Sequence, residues 1–430
     1  MSSPALGEEQ RAPSFSLLAS ATESFWTTVV LAASGAIAAG FSLILPRVLG
    51  PEEYGLFSNV QAVVLFALGF VTLGVADAVP RLVGPGGTGS STPWTGIVTR
   101  VSSRVILPVA GVVAATAGYW YGWPLHVTLC ALALLASTGV ATLAGGIVRA
   151  ETSPVLGLLL AQSWRFFSLP VVALVCWFPV RFTAYGALVA LALAGVAGAV
   201  VGGGAVLRFG GGKVIPPEIA RKLRTESRSF VGINASLALL GYLDQLIIPA
   251  ALGLTALGQY AVTWWLVGTP FLLIQGGTGY ALLPRLRRAT DEGMISRTLR
   301  VQKAWLVGVS CLIAVAAATL LPRLLRSFYG DLYEVSAGLI LAMVLCGLLR
   351  IAYAIPSSIV GAWGDAAALA RLNRWGWPAA GVAAVCAWIG GATLGLTGVA
   401  LGMAAGLAVR LAIAALLARE IRRARVREGR

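Results

Sequence analysis

The chain is poor in the groups that do chemistry. It has one histidine, His126, beside Trp123 and Pro124, and with no second imidazole near it no metal site is expected. Its five cysteines, Cys130, Cys176, Cys311, Cys346 and Cys386, lie inside apolar runs and form no CxxC pair. That pattern suits packing thiols better than disulfides or metal ligands. Only 11% of residues are charged, and lysine has almost vanished, with 3 Lys against 29 Arg. The stretch GGGAVLRFGGGK looks superficially like a phosphate loop. However, Leu207 stands five residues before Gly212, and Val214 follows Lys213 where Ser or Thr is needed. No HExxH or GxSxG arrangement stands in a supporting context. Neither enzyme activity nor a cofactor is expected.

Apolar sequence is what the chain has instead. It is 58% hydrophobic, with 52 glycines and a mean hydropathy of +0.84. A soluble domain could not hide that much apolar surface, so the expected solvent is lipid. Residues 1–24 are polar and lack the basic n-region, short apolar core and cleavage site of a leader peptide. They are expected to form a short tail ahead of the first span. Given roughly 20 apolar residues per crossing, twelve spans are predicted, near 25–46, 56–79, 101–121, 125–148, 154–178, 182–207, 230–252, 258–283, 304–322, 335–359, 373–394 and 396–418. The fold class is all-α: a polytopic membrane protein of about twelve transmembrane helices.

Charge sorts the connections by side. Basic residues follow even-numbered spans: Arg81 and Arg100, then Arg208, Lys213, Arg221, Lys222, Arg224 and Arg228, then Arg285, Arg287, Arg288, Arg297, Arg300 and Lys303, and finally a tail rich in arginine. Odd-numbered spans are followed only by Arg47, Arg181, Arg323 and Arg326. By the positive-inside rule both termini are expected in the cytoplasm of a multi-pass cell-membrane protein. The net charge of +15 therefore orients the chain in a membrane and implies no nucleic acid partner.

The basic segment 208–229 divides six spans from six. Pro46, Leu49, Gly50, Gly55 and Phe57 fall opposite Pro249, Leu252, Gly253, Gly258 and Tyr260 at a constant offset, and Pro80-Arg81 falls opposite Pro284-Arg285 with one residue inserted. Six is even, so the halves share one orientation: two parallel-repeat six-helix lobes related by an axis along the membrane normal. The expected organisation is a tail (1–24), an N-lobe (25–207), a basic cytoplasmic inter-lobe loop (208–229), a C-lobe (230–418) and a basic tail (419–430).

The sharpest motif is LPRVLGPEEYGLF at Leu45–Phe57. Gly50-Pro51 stops one helix and starts the next, with Pro51 suited to the first helical position. Glu52 and Glu53 face the positive end of the new helix, and Tyr54 suits the membrane interface. This reads as a tight helical turn that leaves Arg47 unexplained. The segment PRVLGPEEYGLFSNVQAVVLFALGFVTLGVADAVPRLV, carrying Arg47, Leu49 to Gly55, Gly74, Val75, Ala78 and Arg81, resembles the opening helix pair of the polysaccharide (Wzx-type) flippases of the MOP exporter superfamily. LLGYLDQLIIPAALGLTALGQYAVTWWLVGTP, with Asp244, Gly253, Gly258 and Tyr260, resembles the start of that family's second lobe. The resemblance implies a transporter that flips lipid-linked oligosaccharide, a repeat unit on polyprenyl pyrophosphate, across the cytoplasmic membrane by alternating access. Membrane lipids would surround it, and a polymerase and glycosyltransferases are the partners such a pathway implies.

The resemblance also implies a cavity lined by the first two helices of each lobe. That makes Arg47, Asp77, Arg81 and Asp244 candidate lumen charges, with Asn59, Gln61, Asn234, Gln245 and Gln275 as uncharged companions. Intramembrane charges are costly and usually face a cavity or a partner. Asp77 and Arg81 are spaced i,i+4, so a helical ion pair competes with a lumen role. Asp244 suits a cavity or an interhelix pair. Arg165, Arg350 and Arg410 lie outside the favoured helices, where structural pairing or snorkelling is expected. Trp264-Trp265 are expected to pack against lipid or between helices. A small-molecule antiporter of the related multidrug (MATE-type) branch is the rival. A major-facilitator reading would want a basic signature after span 2 that PRLVGPGGTGSSTPWTGIVTR does not show.

Overall fold

A computed structural model describes residues 17–82, 94–171, 173, 183–208, 215–288, 292–333 and 335–428. Every regular element among them is helical. The first ladder, Leu17–Val71, is broken by Gly50 (φ 76°, ψ 171°) into α1 (17–49) and α2. α2 runs from 51 to 82, interrupted where Leu73 and Gly74 take φ of 46° and 72°. α3 (94–121) carries one π-helical turn at Ser102–Ile106. α4 is Leu125–Glu151. α5 begins as Pro154–Ala161 and Ser163–Phe167 and then leaves the described residues. α6 is Ala184–Arg208, α7 Pro217–Leu252, α8 Leu254–Arg288, α9 Glu292–Tyr329 and α10 Ala337–Trp363. The last ladder, Ala366–Glu428, breaks at Gly395 into α11 (366–394) and α12 (396–428).

Nine of the described helices are long and apolar enough to cross a membrane. Two of the nine contain a glycine break and count twice. The helices nevertheless outrun their apolar windows. Segment 208–229, expected to be a loop, is helical from Pro217 onward, and α9 begins twelve residues before the predicted span. Arg, Lys and Glu are good helix formers, so α7 and α9 continue after hydropathy has fallen. Hydropathy marks the part in lipid, not the end of the helix.

The two ends of the bundle are built differently. Connections at one end, here the turn end, pass through glycines of positive φ: Gly50, Gly122, Gly253, Gly330 and Gly395. Gly50 (76°, 171°) and Gly253 (89°, 172°) adopt nearly the same backbone geometry. A side chain is strained in that region, so glycine is what lets one helix reverse into the next through a single residue. The repeat seen in the sequence is thus a repeat of backbone conformation. The other end, the basic end, carries the helix extensions and their arginines.

The lobes, α1–α6 and α7–α12, meet along α1 and α2 against α7 and α8, and one apolar core runs through both. It contains Leu45, Tyr54, Phe57, Ile97, Leu134 and Ile147 from the first lobe, and Leu257, Tyr260, Phe271 and Met343 from the second. Glu53 has a structural use: its Oε2 accepts the N–H of Ala184 at 2.6 Å, capping the start of α6. Within the first lobe, Trp94 Nε1 donates to Glu151 Oε1 at 2.8 Å, tying α3 to the end of α4.

Candidate functional site

At the turn end the lobes touch backbone to backbone. A Cβ added at Gly55 would meet the carbonyl of Leu254, and one added at Gly258 would meet the carbonyl of Pro51. Glycine is therefore required here by close approach, since both residues are helical.

Three tyrosines close the same end. Tyr121, the last residue of α3, donates its hydroxyl to the carbonyl of Leu246 in α7 at 2.8 Å. Tyr329, the last residue of α9, donates to the carbonyl of Leu43 in α1 at 2.9 Å. Each tyrosine immediately precedes a positive-φ glycine, Gly122 or Gly330. The acceptors Leu43 and Leu246 are separated by the same 203-residue offset as Pro46 and Pro249. Each lobe therefore lends one hydroxyl to the other at matching positions. Tyr333, in the connection to α10, donates to the carbonyl of Pro46 at 2.9 Å, a group in the last turn of α1 where helical carbonyls lack partners. Burial pushes the Tyr333 phenol well above its ordinary pKa, so it stays a donor through the physiological range.

Each of the paired hydroxyl bonds is a neutral hydrogen bond, about 1 kcal/mol net. Tyr121→Phe or Tyr329→Phe is expected to raise the population separated at the turn end about 5-fold, and the double variant about 30-fold. Maleimide labelling of a cysteine introduced beside Gly55 in reconstituted protein measures it. A double variant that labels like its parent would show that these bonds do not hold the lobes.

Deeper in the bundle the repeat becomes asymmetric. Phe41 and Phe57 of the first lobe pack with ring centroids 5.8 Å apart. At the equivalent positions of the second lobe stand Asp244 and Tyr260. Asp244 is 1% exposed, and its carboxylate accepts the Tyr260 hydroxyl at 2.6 Å and the N–H of Gln245 at 2.9 Å. Arg350, the central residue of the 27-residue α10, lies near enough to Asp244 to interact electrostatically. Its Nη2 donates to the carbonyl of Leu240 at 3.2 Å and its guanidinium lies 5.0 Å from the Trp264 ring. Tyr242 of α7 interacts electrostatically with Arg350 and, from the other lobe, with Arg165 of α5. Arg165 lies 5.0 Å from the ring of its neighbour Trp164.

Charge does not balance here. Among the described residues no carboxylate lies within salt-bridge distance of Arg165, Arg350 or Arg410; the ion pair that does form, Arg371–Glu420 at 3.3 Å, is exposed. The half-buried Arg165 and the buried Arg350 and Arg410 each keep an Nε–H without a partner. Arg350 is 8% exposed and Arg410 7%, the latter 5.1 Å from the Tyr353 ring. Of the structural pairing or snorkelling expected for these three, no salt bridge forms among the described residues, and Arg350 donates to a backbone carbonyl instead. A guanidinium cannot shed its proton, so Arg350 stays charged beside the buried Asp244, and Arg165 of the other lobe stays charged within electrostatic reach of Tyr242.

The other candidates are placed as follows. Asp77 and Asn234 come together across the lobes near the basic end, Asn234 Nδ2 donating to Asp77 Oδ2 at 2.6 Å. There a Cβ added to Gly69 of α2 would touch Ala238 of α7. Asn59, fully buried, accepts the Trp123 indole N–H at 2.9 Å and so anchors the α3–α4 turn. Gln61 lines a narrow void with Thr138 and Trp164. Gln245 is buried beside Asp244 and Gln275 is half-buried in α8. Arg47 is exposed at the turn end. The Arg81 side chain, and with it the i,i+4 pair with Asp77, lies outside the described residues. Sequence reasoning missed Tyr121, Tyr242, Tyr329 and Tyr333. The repeated Tyr-Gly at the end of the third span of each half was the available signal for two of them.

Two repeated six-helix lobes meeting along their first helix pairs are a fold shared with solved transporters of the MOP superfamily. Solved structures with this architecture include an inward-facing multidrug resistance MATE family transporter of that superfamily (TM-score 0.62, 16% identity, 90% of this chain and 93% of that one). They also include the Vibrio cholerae MATE transporter VcmN in its bent form (0.56, 17%, 95% and 96%) and the lipid II flippase MurJ in an inward closed conformation (0.58, 10%, 91% and 87%). At such identities the likeness is one of fold. No curated protein matches the sequence significantly. Residues 20–290 match the family described as polysaccharide biosynthesis protein. The chain belongs to that family.

Proposed function

We propose that the protein flips a lipid-linked oligosaccharide, carried on polyprenyl pyrophosphate, across the cytoplasmic membrane for surface polysaccharide synthesis. The observation that carries this reading is the excess of guanidinium over carboxylate around Tyr242, with Arg165 from one lobe and Arg350 from the other each keeping an unsatisfied Nε–H. Arg165 and Arg350 offer forked donors, and each lies against an indole. A pyrophosphate or an acidic sugar supplies the missing negative charge, and the indoles are suited to a sugar face. A site built to attract a cation would show the opposite balance, so the charge favours this reading over a cation-coupled antiporter.

In this reading the lobes are 25–207 and 230–418, and the basic end faces the cytoplasm together with both termini. The polar headgroup crosses between the lobes while the lipid tail stays in the bilayer. The Gly55–Gly258 contact and the tyrosine bonds close the external side, and Asp77–Asn234 bridges the cytoplasmic side. A polymerase and glycosyltransferases act on the product and precursor. The protein makes and breaks no covalent bond.

The test is genetic and chemical. Deleting the gene is expected to remove the surface glycan and to trap the lipid-linked repeat unit in the cytoplasmic leaflet, both restored by the intact gene. Loss of drug efflux with a normal surface glycan would overturn the proposal in favour of the antiporter.

A further inference from the structure

The buried acid of the second lobe has no counterpart in the first. Asp244 and Tyr260 occupy the positions at which the first lobe packs Phe41 against Phe57. Two aromatic rings therefore satisfy the shared backbone, and the carboxylate with its phenol is an addition. Asp244 and Tyr260 are each 1% exposed, so the addition carries the cost of burying polar groups. It belongs to the lobe that also buries Arg350.

Arg350 meets both helices one turn away from that pair. Its Nη2 donates to the Leu240 carbonyl at 3.2 Å, and within an α-helix the same carbonyl accepts the Asp244 N–H. Two hydrogen bonds to one oxygen place Nη2 within about 6 Å of the Asp244 backbone nitrogen. The ring beside the guanidinium is that of Trp264, one turn on from Tyr260. A helical side chain leans over the turn that precedes its own Cα, and for Asp244 that turn holds Leu240. An unrestrained carboxylate would meet the guanidinium there. Asp244 is restrained instead. Its Oδ2 accepts the Tyr260 hydroxyl at 2.6 Å and its Oδ1 the Gln245 N–H at 2.9 Å, and it forms no salt bridge with Arg350. The shorter distance is that of a charge-assisted O–H···O⁻ bond.

We propose that Tyr260 is a positioning residue for anion binding: by holding the Asp244 carboxylate off Arg350, it keeps the guanidinium fork open to a phosphate of the substrate. The role in binding rests on the anionic-substrate reading given above. At its held distance the carboxylate still offsets part of the cost of burying the arginine, so the cation is tolerated without being neutralised. Released from the phenol, Asp244 turns onto Arg350 and becomes an internal competitor for the site.

Two measurements on the purified full-length protein in detergent test it. The first needs no ligand. Unfolding temperatures are compared for Arg350→Gln, Asp244→Asn and the two combined, once in the parent and once in the Tyr260→Phe background. The first lobe carries Phe at the equivalent position, Phe57, so Tyr260→Phe is expected to fold. The double variant should depart further from the sum of its singles in the Tyr260→Phe background than in the parent, because the ion pair forms only there. Equal departures in the two backgrounds would overturn the proposal. The second measurement is binding of farnesyl pyrophosphate, a short polyprenyl pyrophosphate. Tyr260→Phe should weaken it about 10-fold, as when the open arrangement falls to roughly a tenth of the population. Adding Asp244→Asn to Tyr260→Phe should restore the parent's affinity or better it. A loss that Asp244→Asn does not restore would make Tyr260 a packing residue and overturn its positioning role. A parent that binds no pyrophosphate, with the unfolding result as expected, would overturn the anionic-substrate reading alone and leave Tyr260 as the restraint on Asp244.

Discussion

Arg350→Gln is expected to lower transport of the lipid-linked substrate about 100-fold or more while leaving thermal stability equal to the parent's or higher. The two signs come from one cause. Arg350 sits at the middle of α10, unpaired by any carboxylate within salt-bridge distance among the described residues, with its Nε–H unsatisfied. Burying such a charge costs several kcal/mol, and the neutral amide removes that cost while keeping a donor near the Leu240 carbonyl. The cation–π contact with Trp264 is lost, about 2 kcal/mol when desolvated, together with the attraction to the buried Asp244, so the fold gains little or nothing. Transport loses more. Two charge-assisted bonds to an anionic group, at about 1.5–3 kcal/mol each, amount to two decades or more in rate. Flux of the lipid-linked sugar in proteoliposomes and unfolding in detergent measure the two sides. Arg350→Lys, which keeps the charge but not the fork, should fall between. Activity and stability that drop together would make Arg350 a structural residue and remove the main support for an anionic substrate.

Gly55→Ala and Gly258→Ala should each abolish transport by a different route. In both, the new methyl meets a backbone carbonyl of the facing lobe, at Leu254 or Pro51. A carbonyl held in a helix cannot swing aside as a long side chain can. The overpacking cost of about 1–3 kcal/mol falls on the state in which the lobes touch at the turn end, and lobe separation relieves it. The closed population should therefore fall roughly 5- to 150-fold. Labelling of a turn-end cysteine should rise while expression is maintained. Gly276→Ala is the control, since a Cβ there meets nothing within 4 Å; it should match the parent. Normal transport in Gly258→Ala would show that this contact does not form in the working cycle.

Much of the architecture was legible because it rests on one-dimensional signals. Apolar length gave the crossings. Pro46 with Gly50, echoed by Pro249 with Gly253, gave the repeat, because proline and glycine act on the backbone of their own segment. What depends on tertiary neighbours was not legible. The Tyr121 and Tyr329 hydroxyls bond to main-chain carbonyls, and any residue has a carbonyl, so nothing in the sequence of α1 or α7 marks the acceptor. Asn59 looked like a lumen residue because it is polar in a favoured helix, but Trp123, 64 positions away, takes its side-chain oxygen. Arg165 looked peripheral because α5 lies outside the first helix pair. Only the packing of the lobes brings it within electrostatic reach of Tyr242. The helix extensions escaped because hydropathy measures solvent, whereas helix formation there depends on side-chain propensity.

The single-residue reversals at Gly50, Gly253 and Gly395 limit how the machine can move. Two helices joined through one residue cannot slide past each other along the membrane normal without breaking that joint. The pairs α1–α2, α7–α8 and α11–α12 are therefore constrained to travel as hairpins, each with little freedom beyond tilting and bending. The break at Leu73–Gly74 is the exception, giving α2 a joint at its basic end that α8 lacks among the described residues. Mechanically, the transporter has fewer independent parts than helices, and the first lobe has an articulation that the second does not.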